Sequence, residues 1–90
     1  MSGESLRLDK WLWFARFCKS RSLAQKLIER GQARLNGAAV EKPSVTVRPG
    51  DRVTVTLGRF RRTVVVCDVA DRRGPATKAR LLFEEPAPPE

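Results

Sequence analysis

The chain of 90 residues has room for one small domain, whose core should bury about 60 to 65% of the surface that the unfolded chain exposes. It carries 18 lysines and arginines against 10 acidic residues, a net charge of +8, and no histidine. The length excludes a second catalytic domain, and the lack of histidine excludes a histidine general base. The excess positive charge favours polyanionic partners, with nucleic acid ahead of an anionic membrane.

The first predicted element is a helix within LRLDKWLWFARFC, after a short polar start. At about 100° per residue, five apolar side chains share one side of this helix and should face the core: Leu8, Trp11, Leu12, Ala15 and Cys18. Asp9 falls in the first turn, where the helix dipole favours a negative charge. Trp13 and Phe17 point away from the stripe. For these two we favour packing against a second layer, such as the C-terminal segment, over an exposed surface on which bases stack.

The second predicted element is a helix that begins near Ser22 and ends at Gly31. Ser22 and Gln25 have the spacing of a capping box, although Ser20 could serve as the N-cap instead. The inward stripe comprises Leu23, Ala24, Leu27 and Ile28. The two short helices, joined near CKS, should therefore form a helical hairpin with a basic outer side.

From Gln32 onward the pattern changes to short strands. Asn36-Gly37 lies between two extended pieces and suits the positive φ angles of a type I′ turn. After a second turn at Pro49-Gly50-Asp51, the segment RVTVTL alternates apolar and polar residues, as in a strand with one polar face. These patterns predict an antiparallel sheet.

The C-terminal third should continue this sheet. GRFRR should form a basic hairpin tip, TVVVCDVA a strand, DRRGPA a second basic loop, and Leu81–Glu84 a final strand. The predicted fold is α+β, a small single domain over residues 6–84 in which the N-terminal helical hairpin packs on a small, mostly antiparallel β-sheet. Its core motif spans about 6–57 and its C-terminal strands lie in 58–84, while residues 1–5 and 85–90 should be flexible termini.

The two cysteines do not indicate metal or redox chemistry. Cys18 and Cys67 lie far apart in the chain, and no histidine is present to complete a four-ligand zinc site. We interpret both as buried structural thiols and predict no disulfide, metal ion or cofactor. The uncharged segments are too short for a membrane span or a secretory signal, so we expect a soluble, cytoplasmic protein.

The positive charge is concentrated in the helical hairpin and the strand after it. Residues 7–34 include only two acidic side chains, Asp9 and Glu29. The eight basic residues of this segment are Arg7, Lys10, Arg16, Lys19, Arg21, Lys26, Arg30 and Arg34. Most of these cations lack an obvious acidic partner one helical turn away, and arginine can bind phosphate through paired N–H groups. The cluster therefore predicts a surface for nucleic acid.

Three other functions fit the sequence less well. Catalysis would need a base of shifted pKa, but the candidates Asp9 and Asp51 have plainer roles at a helix start and in a turn. A DNA-binding protein could use KSRSLAQKLIERG as a recognition helix, but the third helix of a helix-turn-helix is missing. Binding to a membrane surface is disfavoured because the basic residues are spread over strands and loops.

Three stretches together resemble the S-four RNA-binding domain family, which is named for a small-subunit ribosomal protein. They are RLDKWLWFAR, KSRSLAQKLIERGQARLNG and VRPGDRVTV, and the resemblance covers about residues 6–57. Within the family, the tryptophan-rich first helix and the trailing RRTVVVCDVADRRGPATKARLLFEE are most similar to the ribosome-associated heat shock proteins of bacteria. The resemblance implies an L-shaped RNA-binding surface, formed by the two helices and the β-turn after them.

The resemblance also implies which residues contact RNA. By position they are Arg7, Lys10, Arg16, Lys19, Ser20, Arg21, Gln25, Lys26, Arg34, Asn36 and Gly37. It implies a non-enzymatic protein that binds structured ribosomal RNA on the large ribosomal subunit, in recycling or quality control of stalled subunits that hold a nascent chain on transfer RNA. An accessory RNA-binding module for a separate RNA-modifying enzyme is the alternative. We expect a monomer.

Overall fold

The computed structural model describes residues 5–69 and 80–85. The helices are α1 (Leu8–Phe14) and α2 (Arg21–Glu29). The strands are β1 (Leu6–Arg7), β2 (Ala33–Leu35), β3 (Ala38–Val40), β4 (Thr46–Val47), β5 (Arg52–Leu57), β6 (Phe60–Val66) and β7 (Phe83–Glu84), and a 3-10 turn at Arg80–Leu82 leads into β7. Residues 1–4 and 86–90 of the predicted termini lie outside the described residues, as does the predicted loop DRRGPA.

The strands form two sheets. β1 and β4 make a short antiparallel pair, and the other five strands form an antiparallel sheet in the order β3-β2-β5-β6-β7. The predicted α+β class, with a helical hairpin on a mostly antiparallel sheet, is confirmed.

The core lies between the helices and one face of the five-stranded sheet. All five side chains of the predicted α1 stripe are buried, and Val53 and Val64 lie opposite each other beneath them on β5 and β6. On α2, Ala24 and Ile28 are fully buried and Leu27 nearly so, but Leu23 is 48% exposed. The inward prediction is therefore wrong for Leu23, which sits at the edge of the stripe in the first turn of the helix.

The start of α1 is held by a distant loop. Arg7 occupies the N-cap position without a side-chain hydrogen bond. Instead, the N–H of Leu8 donates to the carbonyl of Val45 at 2.6 Å, and the N–H of Asp9 to that of Pro43 at 3.4 Å. These contacts satisfy two of the N–H groups that a helix start leaves without partners, so the loop before β4 takes the place of a capping side chain.

α1 ends earlier than its apolar pattern predicts. Arg16 adopts a left-handed φ of 70°, its N–H donates to the carbonyl of Trp13, and the N–H of Phe17 donates to that of Leu12. Gly31 ends α2 with the same pair of bonds and a φ of 77°, the Schellman geometry that glycine adopts most easily. Gly31 indicates the end of α2 in the sequence, whereas Arg16, at the equivalent position of α1, is not a residue that indicates a helix end.

The aromatic residues of the first helical segment pack internally. The Phe17 ring lies 4.8 Å from the ring of Phe83 and 5.8 Å from that of Trp11, and the Trp11 indole N–H donates to the carbonyl of Asp68. Trp13 is half-buried, with its ring 5.5 Å from that of Phe14. The prediction that Phe17 packs on the C-terminal segment is confirmed, because the early end of α1 turns Phe17 toward β7.

The hairpins agree with the predicted turns in part. Asn36 and Gly37 have φ angles of 52° and 87° between β2 and β3, which confirms the type I′ turn. The tip between β5 and β6 is confined to Gly58 and Arg59, so GRFRR is mostly strand and not a tip. β6 begins at Phe60, earlier than predicted, because Phe60 pairs with Leu57 of β5.

The C-terminal segment needs two further corrections. β6 ends at Val66, so the strand predicted in TVVVCDVA stops before Cys67, whose backbone N–H donates instead to the carbonyl of Leu82. Cys67 is exposed, and the interpretation as a buried thiol is right only for Cys18. The predicted strand Leu81–Glu84 is reduced to β7, because Leu81 lies in the 3-10 turn.

Candidate nucleic-acid interface

A buried carboxylate, Asp9, joins the two helices of the hairpin. Its side chain is 0% exposed. Arg7 donates from Nε to Oδ1 at 3.2 Å and from Nη2 to Oδ2 at 3.1 Å, and the backbone N–H of Lys10 donates to Oδ1 at 2.8 Å. From α2, Arg21 Nε and Gln25 Nε2 donate to Oδ2 at 3.2 and 3.0 Å. One anion therefore holds the start of α1 against the first turns of α2.

Opposing effects act on the pKa of the Asp9 carboxyl. Burial is the largest effect and raises the pKa. Hydrogen bonds from Gln25, Arg21 and the Lys10 backbone lower the pKa, as does the positive charge of Arg21. The net result is a pKa below the usual 3.8. Asp9 is thus ionised at neutral pH. Two of the basic residues, Arg7 and Arg21, do have an acidic partner, but it does not lie one helical turn away. Asp9 follows Arg7 by two residues in the chain and lies across the hairpin from Arg21.

Ser20 caps α2, which settles the choice between the two serines. Its backbone is extended, with φ −146° and ψ 162°, and its Oγ accepts a hydrogen bond from the N–H of Leu23 at 3.1 Å. The capping box with Ser22 and Gln25 is wrong, because the Gln25 side chain turns to Asp9. The cap makes Arg21 the first residue of the helix and so places its side chain beside Asp9.

The remaining predicted RNA-binding residues of the helical hairpin are all at least partly exposed. Lys10 is half-buried, and Arg16, Lys19 and Lys26 are exposed. Together with Arg7, Ser20, Arg21 and Gln25, they form the set that we call the hairpin surface. Phosphate oxygens are acceptors for guanidinium, ammonium, hydroxyl and amide donors alike, and each of these donor types is present in the set.

Arg34 lies on a different face from the hairpin surface. It pairs with Thr54 of β5, and its neighbours Ala33 and Leu35 pack toward the core. Because successive residues of a strand point to opposite faces, Arg34 is directed away from the helices. The structure therefore does not bring it together with the cations of α1 and α2.

Asn36 and Gly37 have a structural role in the sheet. The Asn36 side chain donates to Asp51 Oδ1 at 3.2 Å and accepts from the backbone N–H of Arg52 at 2.9 Å. Asp51 Oδ2 accepts from the backbone N–H of Arg48 at 2.9 Å, which agrees with its predicted place in a turn. The two turns are thus clamped to each other, and Gly37 supplies the second positive φ of the hairpin.

Arg62 is a basic residue whose environment sequence reasoning missed. Its guanidinium lies 5.0 Å from the centre of the Phe17 ring and 5.9 Å from that of Phe83, and it donates two hydrogen bonds to Glu85. The Glu85 hydrogen bond raises the pKa of Arg62 and lowers that of Glu85. The signal in the sequence was the alternation along β6, which places Arg62 on the same face as the apolar Val64 and Val66.

No helix in the described ranges is long and apolar enough to cross a membrane. Within residues 5–69 and 80–85, no three acidic or cysteine side chains are grouped so that they could hold a metal ion.

Comparison with known proteins assigns this arrangement to a family. Residues 6–53, which run from β1 through both helices into β5, match the family model described as the S4 domain. The chain belongs to the S4 domain family. The matched segment contains Asp9, Ser20, Asn36 and every residue of the hairpin surface.

Two groups of relatives are similar beyond the S4 domain itself. Heat shock protein 15 of Escherichia coli is 46% identical over 82 residues, which are 91% of this chain and 61% of that protein. The chain therefore spans less than two thirds of the length of that relative. The RQC P-site tRNA stabilizing factor of Bacillus subtilis is 39% identical over 66 residues, covering 73% of this chain and 76% of that protein.

A solved structure extends the similarity to the whole fold. It is described as a trimeric structure of Vibrio cholerae heat shock protein 15, and it matches with a TM-score of 0.87 and 42% sequence identity. The match covers 93% of this chain and 84% of that one. The S4 domain and the strands after it thus form one arrangement that both chains share.

Proposed function

We propose that this S4 domain protein is a non-catalytic RNA-binding protein of the cytoplasm. Its target is structured ribosomal RNA on the large ribosomal subunit, and it acts in recycling or quality control of stalled subunits that hold a nascent chain on transfer RNA. The relatives named heat shock protein 15 and RQC P-site tRNA stabilizing factor support this role. The observation that carries the proposal is the pair of arginines that Asp9 orients on the hairpin surface.

The geometry of Arg21 suits a phosphate contact. A guanidinium has five N–H donors, and the described bond from Arg21 to Asp9 uses Nε, which leaves the terminal nitrogens for an RNA oxygen. The Arg21 side chain is 36% exposed, so a ligand can reach it. A fixed guanidinium loses less rotamer freedom on binding than a free one, and the Asp9 contacts therefore favour binding at Arg7 and Arg21.

The charge of the protein supports a polyanionic target and a monomer. Eight basic residues against two acidic ones in the segment 7–34 repel a second copy of the same surface. We therefore propose that the chain acts as a monomer on RNA, although the solved relative is described as trimeric. Sedimentation velocity of the free protein gives its mass and separates the two states.

Sedimentation with separated ribosomal subunits tests the proposed function. We expect the protein to pellet with large subunits that carry peptidyl transfer RNA in preference to empty large subunits or small subunits. Arg21→Ala should reduce pelleting, while Arg61→Ala, which removes an exposed arginine from the outer face of β6, should not. Equal pelleting with every subunit and with duplex DNA would contradict the role at stalled subunits.

A further inference from the structure

A groove of about 450 Å³ adjoins the hairpin surface, shares Lys19 and Lys26 with it, and has no role in the proposed contacts of Arg7 and Arg21. It lies between the end of α1, the outer side of α2 and the end of β5, and its lining includes Phe17, Leu23, Lys26, Arg30 and Leu57. Its volume falls within the range of small-molecule sites, about 300 to 1,000 Å³. Leu57 lies beyond residues 6–53 that match the S4 domain, so one wall of the groove comes from outside the matched segment.

The floor of the groove is apolar and accessible. Leu23 is 48% exposed, and Leu57 is half-buried. Phe60 lies directly opposite Leu57 in the register of β5 and β6, and directly opposite residues project from the same face of a sheet with Cβ atoms about 5 Å apart. Phe60 is 75% exposed, the most exposed large apolar side chain in the described residues. Phe60 does not itself line the groove, but its side chain starts beside that of Leu57, at the edge of the groove.

The rim of the groove is cationic. Lys19, Lys26 and Arg30 line it, and none of them forms an ion pair with any residue in the described ranges. Three like charges around an apolar floor disfavour a second copy of this basic protein, and a neutral apolar peptide would leave them uncompensated. An occupant needs a flat apolar body and a negative charge at its edge. A nucleotide has both.

We propose that the groove binds a single unpaired nucleotide of the RNA target, with its base against Phe60, Leu23 and Leu57 and its phosphates at Lys19, Lys26 and Arg30. This inference rests on the proposed RNA-binding function and adds to it a preference for RNA that presents an unstacked base. Contacts with an aromatic ring and aliphatic side chains involve the face of a base and not its edges. The groove therefore selects for an unpaired base more than for its identity.

Two RNA hairpins with the same stem, one of them with a single bulged 2-aminopurine, test the inference. We expect the protein to bind the bulged hairpin about tenfold more tightly, and the fluorescence of the bulged base to change on binding. Phe60→Ala and Leu23→Ala should each remove most of this preference while leaving affinity for the plain hairpin unchanged. Leu81→Ala is the matched control, because Leu81 is 65% exposed but lies in the 3-10 turn and does not line the groove.

The outcomes separate the groove from the wider function. Equal affinity for both hairpins, with unchanged fluorescence, would overturn the groove inference and leave the RNA-binding proposal in place. Absence of binding to either hairpin would contradict RNA binding itself, and the inference with it. If Phe60→Ala reduced the mass of an oligomer and left the preference for the bulge intact, the groove would be a contact between copies of the chain, which also overturns the inference. Thermal melting of each variant checks that it folds.

Discussion

At the scale of single residues, Asp9 determines how the hairpin surface is presented. A fully buried carboxylate is costly unless it is paired and hydrogen-bonded, and Asp9 meets this condition with donors from Arg7, Lys10, Arg21 and Gln25. Sequence reasoning placed Asp9 only in the first turn of α1. Its contacts with α2 could not be predicted because no local pattern reports that two helices meet at that residue.

Replacing Asp9 with Asn should destabilise the protein at neutral pH by about 2 kcal/mol, because buried donors lose a charged acceptor. The folded-state pKa of Asp9 is lower than its unfolded value, so this stabilisation is complete above the unfolded pKa and disappears as pH falls through the folded one. The difference in free energy of unfolding between the wild type and Asp9→Asn should therefore be smaller at about pH 3 than at pH 7. Urea denaturation at both pH values measures it.

Glu29→Gln is the matched control for this prediction. Glu29 is an exposed carboxylate on α2, and its replacement should change the free energy of unfolding by less than about 0.5 kcal/mol. A loss at pH 7 that is equal for Glu29→Gln and Asp9→Asn would show that net charge matters and the Asp9 contacts do not.

At the scale of elements, the starts and ends of the helices show what local sequence can specify. Gly31 and Asn36-Gly37 were predicted because glycine and asparagine tolerate positive φ, and the structure has positive φ at all three. The end of α1 was missed because Arg16 adopts the same conformation without being a residue that favours it. Local sequence does not decide between Ser20 and Ser22 as the start of α2, since both have the side chain that a cap requires.

The cap of α2 can be tested with a pair of variants. Ser20→Ala should lower the free energy of unfolding by about 1 kcal/mol, because the N–H of Leu23 loses its acceptor. Ser22→Ala should be neutral or slightly stabilising. Ser22 lies within α2 with its side chain exposed, and alanine has a higher helix propensity than serine. Equal losses in thermal melting would mean that the hydroxyl of Ser20 contributes nothing specific.

At the scale of the whole molecule, the excess positive charge divides into residues that can meet RNA and residues that are engaged elsewhere. Arg62 packs on Phe17 and Phe83 and is bound to Glu85, and Arg34 faces away from the helices. The sequence correctly predicted the α+β fold, because it depends on the period of apolar residues. Whether a given basic residue can reach RNA depends instead on which face of its strand it occupies and on whether it forms an ion pair with a residue distant in the chain.

The salt dependence of RNA binding measures how many charges take part. If about six phosphates are neutralised, the logarithm of the affinity should fall with the logarithm of the salt concentration with a slope near −5. Arg21→Ala should make the slope shallower by about one unit, and Arg61→Ala, with the same change in net charge, should leave it unchanged. Fluorescence anisotropy with one structured RNA at several salt concentrations gives all three slopes. Equal slopes for the two variants would remove Arg21 from the site.

The pairing of β1 with β4 has a consequence for how the protein is made. Leu6 pairs with Val47, and Leu8 donates to the carbonyl of Val45, so α1 is secured by residues roughly 40 positions further along the chain. Synthesis proceeds from the N-terminus, and α1 leaves the ribosome long before the strand that holds it. A partly synthesised chain therefore lacks the contacts that secure α1 until residues 45–47 have been made, so the hairpin surface is complete only after about half of the chain has been synthesised.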